Sequence, residues 1–489
     1  MGLRVSIILS ALQQYGRQAI FFLASVVIAR LLTPQEMGVF AVSMGVIGLL
    51  DMLRTMGVPA YFVTLHDLSK QDIRTYNGIV WSLGGVFTTL LFAISWPVAT
   101  FYGNPLVGEC LRILAVGHLI TPFGSAGLLL LNRNMRFGAL LWIGLAASAT
   151  QASVAIGLAS IGVGPLSLAW AQMASNSVMA LGGVLCESSV AGLLPSFKGW
   201  SKPFHFGGWL TATTISGSVG MQAAELITGR ILGLASSALY SRAMGMTNMI
   251  RSLSYAAVVQ PALPAFAQAE RTEQGGMARI YLQLVAVITG LGWPAYAALA
   301  VWSEPLTLAL YGEQWRESAA LVPAICLYGA MTFAVTPYHE AMIAQGRVRL
   351  FFLCETGLML GWLACLMFAS AHGLQAVALA TALGGSGSAV VYAIVLRRVL
   401  RYRLRDLATV WFKSGVLTVA VGTTALLVRY SPVTVSWSLP VALAFNIFIG
   451  GLAWAAAIWL VGHEFREHIA EIIQWGWSRL RFFGRPVER

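Results

Sequence analysis

Residues 29–45 read ARLLTPQEMGVFAVSMG, and residues 229–245 read GRILGLASSALYSRAMG. The two stretches align without a gap, and they share an arginine, a leucine, a methionine and a glycine at equivalent positions. Later in each half, Thr121-Pro122-Phe123 matches Thr336-Pro337-Tyr338. Matches in the same order and at similar spacing indicate an internal duplication. We therefore predict two homologous halves, 1–195 and 196–398.

The chain is strongly apolar from end to end. Charged residues make up 10% of the 489 residues, against about 25% in an ordinary soluble protein. Mean hydropathy is +0.74, and apolar windows of about 20 residues recur, which is the length that spans a bilayer as a helix. We predict fourteen spans: 9–31, 38–62, 78–100, 107–130, 139–161, 165–185, 207–229, 237–260, 279–302, 318–343, 350–370, 374–396, 409–428 and 437–460.

These spans define a fold class, an all-α polytopic membrane protein. Each half contains six spans, an even number that gives both halves the same orientation in the membrane. Two six-helix lobes are then related by a pseudo-two-fold axis along the membrane normal, as in transporters built from parallel repeats. Residues 399–461 add two transmembrane helices, and 462–489 form an amphipathic tail that we expect to lie on the cytoplasmic membrane surface.

Lysine and arginine are distributed unequally between the joints. With the N-terminus inside, 22 of the 31 basic residues fall in cytoplasmic joints, and four fall outside: Arg30, Arg230, Arg316 and Arg429. This bias predicts that both termini are cytoplasmic. It also accounts for most of the net charge of +12, because basic joints meet anionic membrane lipids. We therefore expect no nucleic-acid partner.

Several function classes lack their sequence signals. The chain has no G-x-x-x-x-G-K-[ST] motif and no joint long enough for a nucleotide-binding domain. The five cysteines show no metal-ligand spacing and suggest no disulfide framework. We expect no metal, no cofactor and no catalytic residue. A channel, a transporter or a scaffold remains, and the missing ATPase module favours a gradient-driven or facilitated transporter.

Three stretches carry a resemblance to a known family. Residues 30–63 (RLLTPQEMGVFAVSMGVIGLLDMLRTMGVPAYFV), 224–246 (AELITGRILGLASSALYSRAMGM) and 304–315 (EPLTLALYGEQW) resemble motifs of Wzx-type polysaccharide flippases. These belong to the superfamily that also contains MATE exporters and lipid II flippases. One departure is visible, because the acid that is usually Asp before the "IGR" motif is Glu225 here.

The resemblance implies a function. Such proteins move an undecaprenyl-diphosphate-linked oligosaccharide repeat unit from the inner to the outer leaflet of the bacterial inner membrane, by alternating access of two lobes. Polysaccharide polymerase and export machinery then act on the product, which makes them candidate partners beside membrane lipids.

Five arginines lie within predicted spans: Arg17, Arg54, Arg112, Arg242 and Arg251. A charge near the bilayer centre is costly and usually faces a bundle interior or a wet cavity. Because guanidinium groups match diphosphate oxygens in a bidentate way, these five are our candidate substrate-binding residues. Alternatives stay open: Arg54 has Asp51 one turn away, and Arg17, Arg112 and Arg242 lie near span ends from which a side chain can reach the interface. Arg251 is the most central.

A second group contains candidates for a gate or for ion coupling: Asp51, Glu225, Arg230, His118, His339 and Glu340. His118, His339 and Glu340 could carry a coupling proton, but a satisfied polar residue in the core is the alternative for each. For Glu225 and Arg230 the alternative is a structural salt bridge between helices at the outer gate. Three glutamines (Gln13, Gln14 and Gln18) and Trp81 are candidate sugar contacts.

Two rival functions remain. A MATE-like cation-coupled multidrug antiporter would carry more buried acids than buried bases, whereas this chain has the opposite balance. A lipid II flippase fits a cationic cavity equally well. A membrane-bound polymerase is disfavoured by the short outer joints.

Overall fold

The structure is a computed structural model, and it describes residues 3–55, 58–65, 67–190, 194–201, 208–259, 262–272, 276–434 and 436–466. These residues form helices and connecting turns, with no β-strand among them. The helices up to residue 231 are α1 (Leu3–Leu31), α2 (Pro34–Thr55), α3 (Val58–Thr64), α4 (Lys70–Tyr102), α5 (Pro105–Arg133), α6 (Phe137–Ser160), α7 (Leu166–Cys186) and α8 (Gly208–Ile231).

The remaining helices are α9 (Leu234–Val258), α10 (Ala262–Thr272), α11 (Gly276–Tyr311), α12 (Arg316–Phe333), α13 (Tyr338–Ala344), α14 (Val348–Ser370), α15 (Leu374–Leu400), α16 (Leu404–Tyr430) and α17 (Leu439–Val461). Each of the fourteen predicted spans overlaps at least one of these helices. The predicted amphipathic tail lies outside the described residues beyond Arg466.

Nine stretches within the described part of the chain are long and apolar enough to cross a membrane. They comprise α4, α5, α6, α11, the stretch Glu313–Ala344, and α14 to α17. The protein is thus a multi-pass, all-α membrane protein, as predicted. The other five predicted spans form α1, α2, α7, α8 and α9, which are helical. The total of fourteen spans stays a prediction.

Three segments differ from the predicted spans in detail. The span 38–62 is divided into α2 and α3, and the span 318–343 is interrupted between α12 and α13. Helix α11 continues to Tyr311, so most of the outer joint predicted at 303–317 is helical. Pro122 lies inside α5 without ending it, whereas the equivalent Pro337 precedes the first residue of α13. The two copies of the repeat have therefore diverged at this turn.

The chain divides into two compact units. Unit 1 contains Met1–Ser241, Ala309–Trp315 and Glu355–Val377, and unit 2 contains Arg242–Leu308, Arg316–Cys354 and Ala378–Arg489. Each unit is built from segments that are distant in sequence. The lobe boundaries 1–195 and 196–398 stay a prediction.

Glycines set the close packing of α5 against α7 in unit 1. A Cβ on Gly124 would overlap the backbone of Ala180, and a Cβ on Gly127 would overlap that of Gly183. Small residues at such points let two helix backbones approach closely, which gives van der Waals contact that a lipid environment cannot replace. Around this pair, α4 packs on α5, α6 packs on α7, and α1 packs on α6.

The turn between α1 and α2 is a second packing centre of unit 1. The indole of Trp315 is fully buried, and its Nε1 donates a hydrogen bond to the carbonyl of Ala29 at 2.8 Å. Arg30 Nε donates to the carbonyl of Leu310 at 3.1 Å, at the C-terminal end of α11, where a cation is favoured by the helix dipole. Two of the stretches that carry the family resemblance, 30–63 and 304–315, therefore meet at this junction.

In unit 2, a buried polar chain connects α11, α16 and the segment after α17. His463 is 1% exposed, and its Nε2 lies 3.1 Å from the hydroxyl of Ser414, which lies 2.8 Å from that of Thr289. The backbone N–H of Phe465 donates to His463 Nδ1 at 3.2 Å. Gly290 lies beside the imidazole, where a Cβ would meet ring atoms at 2.8 Å. The C-terminal end of α17 is thus fixed to two other helices.

Candidate functional site

Most candidate residues lie on four helices, α1, α2, α8 and α9. Helix α1 carries Arg17, α2 carries Asp51 and Arg54, α8 carries Glu225 and Arg230, and α9 carries Arg242 and Arg251. Polar residues at membrane depth are costly unless they face protein or a wet cavity. These four helices are the first two of each predicted half, so the candidate charges lie on equivalent helices of the repeat.

Arg251 is the best-defined of the candidate cations. It is half-buried in α9, and its Nε donates a hydrogen bond to Oδ1 of Asn248 at 3.1 Å. Among the described residues it forms no ion pair with an acid. A neutral amide orients the guanidinium without cancelling its charge. The other N–H groups of the fork therefore suit an anion supplied from outside the protein.

A tyrosine in α11 adds to this site. Tyr296 is 2% exposed and interacts electrostatically with Arg251. Its hydroxyl has no hydrogen-bond partner within the described part of the chain, and it packs against Gly329, where a Cβ would lie 2.7 Å away. A buried hydroxyl without a partner costs about 1–3 kcal/mol. Arg251, Asn248 and Tyr296 together form what we call the Arg251 site.

Arg17 lies on the face of α1 that packs against α6. It is exposed, and its aliphatic stem crosses Gly144, where a Cβ would lie 3.2 Å from Arg17 Cδ and 2.9 Å from Gln13 Nε2. Gly144 therefore gives both polar side chains room along the surface of α6. Arg54 belongs to α2, but its side chain lies outside the described residues.

The structure gives Arg112 and Arg242 different surroundings. Arg112 is exposed on α5, and its Nε donates to the carbonyl of Gly108, one turn earlier, at 3.2 Å. Its own helix thus satisfies part of its hydrogen-bonding capacity. Arg242 is half-buried near the start of α9. The part each plays in binding stays a prediction.

Glu225 and Arg230 both lie on α8 but have separate contacts. The Glu225 carboxylate accepts a hydrogen bond from the Ser241 hydroxyl, and the Glu225 carbonyl accepts one from Ser237 at 3.0 Å. Arg230 is exposed, and its guanidinium carbon lies 4.8 Å from the centroid of the Phe101 ring, within the range of a cation–π contact. Each residue therefore ties α8 to a neighbouring helix within unit 1.

The remaining gate or coupling candidates are dispersed. Asp51 is half-buried on α2. His118 on α5 packs edge to face against Phe87, with ring centres 4.9 Å apart. His339 and Glu340 are adjacent in α13, with Nδ1 and Oε1 3.4 Å apart. His339 and Glu340 are thus brought together, and the coupling role of each of these residues stays a prediction.

A ladder of amide side chains crosses unit 1 and was not among the predicted candidates. Gln151 Nε2 donates to Gln172 Oε1 at 2.9 Å, Gln172 Nε2 donates to Asn176 Oδ1 at 3.1 Å, and Asn176 Nδ2 donates to the carbonyl of Gly117 at 3.3 Å. The ladder joins α6, α7 and α5 near the middle of their lengths. The signal that would have found it is the position of three amides inside otherwise apolar spans.

Of the predicted sugar contacts, Trp81 packs edge to face on Phe123, with ring centres 4.5 Å apart.

Comparison with known proteins identifies the family. A family model described as "Polysaccharide biosynthesis protein" matches residues 27–320, which is more than half of the chain. The chain belongs to this polysaccharide biosynthesis protein family. The matched region includes the repeat turns, the amide ladder and the Arg251 site.

Curated relatives of this family member are named for polysaccharide biosynthesis or transport. The lipopolysaccharide biosynthesis protein WzxC of Escherichia coli K12 is 23% identical over 340 residues, 67% of this chain and 66% of the relative, which is just under two thirds of its length. The teichuronic acid biosynthesis protein TuaB of Bacillus subtilis 168 is 22% identical over 82% of this chain and 83% of the relative. The succinoglycan biosynthesis transport protein ExoT of Rhizobium meliloti 1021 is 26% identical over 69% of each.

Solved structures support the fold assignment of the family member. A lipid II flippase, MurJ, in an inward closed conformation matches with a TM-score of 0.69 over 95% of this chain and 100% of that chain, at 14% identity. An outward-facing MATE family multidrug transporter matches with a TM-score of 0.53 over 81% of this chain and 96% of that chain, at 12% identity. At these identities the likeness shows the fold alone.

Proposed function

We propose that the protein is a flippase that translocates an undecaprenyl-diphosphate-linked oligosaccharide repeat unit from the inner to the outer leaflet of the bacterial inner membrane. The observation that carries this proposal is the Arg251 site, where a guanidinium on the predicted transmembrane helix α9 has no acidic partner among the described residues and lies beside a buried hydroxyl. Membership of the polysaccharide biosynthesis family supports a polysaccharide precursor as the cargo. The protein acts as a transporter and not as an enzyme.

The chemistry of the cargo fits this site. A lipid diphosphate carries two negative charges and several acceptor oxygens, which a guanidinium fork and a hydroxyl donor can satisfy together. The charge on Arg251, held in place by Asn248, attracts the diphosphate into a region of low dielectric, where the interaction is stronger than in water. Arg17, Arg54, Arg112 and Arg242 are further candidates for the same cationic path.

The sugar part of the cargo requires different groups. Amides offer both donors and acceptors to hydroxyl groups, and Gln151, Gln172 and Asn176 place three of them along unit 1. Alternating access of the two predicted six-helix lobes would move the headgroup across the membrane while the lipid tail remains in the bilayer. Both termini lie in the cytoplasm, as the basic joints predict.

A deletion strain tests the function. Loss of the protein should leave lipid-linked repeat units on the cytoplasmic leaflet and abolish one surface or secreted polysaccharide. The measurement is extraction and quantification of the lipid-linked intermediates. Their accessibility from outside the membrane in intact spheroplasts assigns the leaflet. A deletion strain that makes full-length polysaccharide and becomes sensitive to cationic drugs would instead support the MATE-like antiporter.

The lipid II alternative is separated by a second strain. A lipid II flippase is needed for the cell wall, so its loss should arrest growth and cause lysis. A polysaccharide flippase should be dispensable once the first sugar transferase of the same polysaccharide is also deleted. Viable double-deletion cells that lack only the polysaccharide would favour the proposed cargo.

A further inference from the structure

Unit 2 contains an open cavity of about 1260 Å³, at the end of the helices where the basic joints cluster. It lies at the N-terminal ends of α11 and α16 and the C-terminal end of α15. Five arginines line it: Arg279, Arg347, Arg398, Arg401 and Arg403. None of the residues of the Arg251 site lines this cavity. We call it the arginine cavity.

Among the described residues, four of the five arginines of the arginine cavity have no acidic partner. Asp406 and Glu464 are its acidic lining residues, but Glu464 Oε1 already accepts from Lys413 Nζ at 2.9 Å. In the described part of the chain, Arg347, Arg398, Arg401 and Arg403 form no ion pair with an acid. Several like charges that share one cavity repel each other, so an anion from outside would stabilise the arrangement.

The arginines at the opposite ends of the helices behave differently. Each contacts a group of the protein: Arg30 donates to carbonyls at the end of α11, Arg230 lies over an aromatic ring, and Arg316 and Arg429 share Glu304. The protein thus supplies an interaction partner for each of these four arginines. Within the described part of the chain, the missing acidic partners of Arg347, Arg398, Arg401 and Arg403 are therefore particular to this cavity.

The linker that bears two of these arginines is rigidly held. Tyr402 is 5% exposed, its hydroxyl donates to the carbonyl of Ala393 at 2.8 Å, and its ring stacks on Tyr281 with centres 5.6 Å apart. The Tyr281 hydroxyl in turn donates to the carbonyl of Val335 at 2.9 Å. Arg401 and Arg403 flank this anchor, so both are held at the cavity by a fixed backbone.

Arg401 also adopts a backbone conformation that favours glycine. Its φ is +59° at the C-terminal end of α15, a position where helices commonly place glycine. A residue with a side chain is strained there, and strain of this kind is often kept where the side chain has a function. An arginine at position 401 therefore raises the free energy of the backbone, which supports a function for its guanidinium.

The form of the cavity indicates which anion it takes. Apolar side chains, among them Leu282, Leu350 and Val410, line it together with the arginines. This mixture occurs where apolar helices end, at the level of the lipid headgroups, and basic pockets between membrane helices at this level bind anionic headgroups. The volume exceeds the roughly 300–1,000 Å³ of an ordinary small-molecule site, so there is room for more than one phosphate.

We propose that the arginine cavity binds the phosphate-bearing headgroup of an anionic membrane phospholipid, with the acyl chains lying along the apolar helices. The arginines donate charge-assisted hydrogen bonds to the phosphate oxygens. This lipid is a bound component of unit 2 and is not the cargo. The proposal requires only that the protein lies in a membrane, so it is independent of the proposed flippase activity.

Native mass spectrometry of the full-length protein, purified in detergent and stripped of lipid, tests the proposal. The lipids added are diphosphatidylglycerol, phosphatidylglycerol and phosphatidylcholine. We expect both anionic lipids to bind, with diphosphatidylglycerol, which carries two separate phosphate groups, binding more tightly than phosphatidylglycerol. Phosphatidylcholine should bind at least fivefold more weakly than either. Inorganic pyrophosphate at equal concentration should leave the bound lipid in place. Its full displacement of the lipid would identify a soluble anion as the ligand and overturn the proposal.

Two neighbouring pairs of arginines provide a matched comparison. The double variant Arg401→Gln, Arg403→Gln removes charge from the cavity, whereas Arg397→Gln, Arg405→Gln removes the same charge from exposed positions that do not line it. The first should weaken binding of diphosphatidylglycerol at least fivefold, and the second should change it less than twofold. Equal effects would mean that a diffuse basic surface, and no defined cavity, holds the lipid.

Arg401→Gly separates binding from folding. Glycine relieves the strained backbone, so the lipid-free variant should melt at a temperature equal to or higher than that of the wild-type protein. The increase in melting temperature that diphosphatidylglycerol produces should nevertheless be smaller in the variant. A variant that keeps the full lipid-induced increase would contradict the role of this guanidinium.

Discussion

Oε1 of Gln35 accepts a hydrogen bond from the backbone N–H of Ala235 at 3.2 Å. These are equivalent positions in the two copies of the repeat turn, so each copy contacts the other at the same place in its sequence. Contact between equivalent positions is what a local two-fold axis produces. The side chain of Gln35 also satisfies a free N–H group at the N-terminal end of α9.

A glycine close to this contact should be essential for packing. A Cβ on Gly38 would overlap the carbonyl of Leu234, which is backbone and cannot move aside. Gly38→Ala should therefore destabilise the protein by about 1–3 kcal/mol, the usual effect of overpacking. The measurement is the melting temperature of the purified protein. The control is Gly245→Ala, because a Cβ there meets nothing within 4 Å, and equal losses in both variants would contradict the packing argument.

Replacement of Arg251 should impair transport without impairing insertion. Arg251→Gln should lower the flipping rate by roughly tenfold or more, because a hydrogen bond to a charged group contributes about 1.5–3 kcal/mol. Arg251→Lys should recover only part of the rate, since a lysine lacks the planar fork. Export of the polysaccharide is measured at matched protein levels, with Arg405→Gln as the exposed control. Normal export by Arg251→Gln would refute the site.

Tyr296→Phe distinguishes a Tyr296 hydroxyl that binds cargo from one that only packs in the protein. Removing a buried hydroxyl that has no partner should raise the stability of the ligand-free protein by about 1 kcal/mol. If the hydroxyl donates to the cargo, the same change should lower the flipping rate. A variant that is less stable than the wild-type protein would show that the hydroxyl already has a partner.

The relation between Asp51 and Arg54 can be settled by a double substitution. If Arg54 is only the partner of Asp51, then Asp51→Asn with Arg54→Gln should regain the export that Arg54→Gln alone loses, because no lone charge remains in the membrane. If Arg54 binds cargo, the double variant stays inactive. Both variants are compared by polysaccharide yield against protein level.

His463 should make stability depend on pH. Burial lowers the pKa of His463 below its ordinary value, the neighbouring Lys413 adds to this, and Glu464 opposes it. The Phe465 N–H occupies Nδ1, so the neutral ring donates from Nε2 to Ser414, whose hydroxyl donates to Thr289. A second proton would have to displace the Phe465 N–H.

The sign of the pH effect follows from proton uptake. Between the lowered pKa and the ordinary value of about 6.5, the unfolded chain binds more protons at His463 than the folded protein does. Stability should therefore fall as the pH decreases below about 6.5. Melting temperatures of wild-type protein and His463→Gln at pH 7.5 and pH 5 are compared, and the decrease should be smaller in the variant. An equal decrease would mean that His463 titrates normally.

The sequence by itself determined the membrane class and the helical segments, because hydropathy and charge are sums over neighbouring residues. The low charge, the recurrent apolar windows and the repeat at 29–45 and 229–245 were sufficient for the fold class, and the structure confirmed it. The break before Tyr338 was not predicted, since the equivalent Thr121-Pro122 continues its helix. Whether a given proline ends a helix depends on what packs around it.

Only the tertiary structure decided what the polar residues contact. Trp315 belongs to a motif that the sequence linked to the family, but its role as the anchor on Ala29 required the fold. The amide ladder and the arginine cavity likewise join residues that are tens to more than a hundred positions apart. A side chain's partners depend on which helices pack together and at what rotation, and no local pattern of residues carries that information.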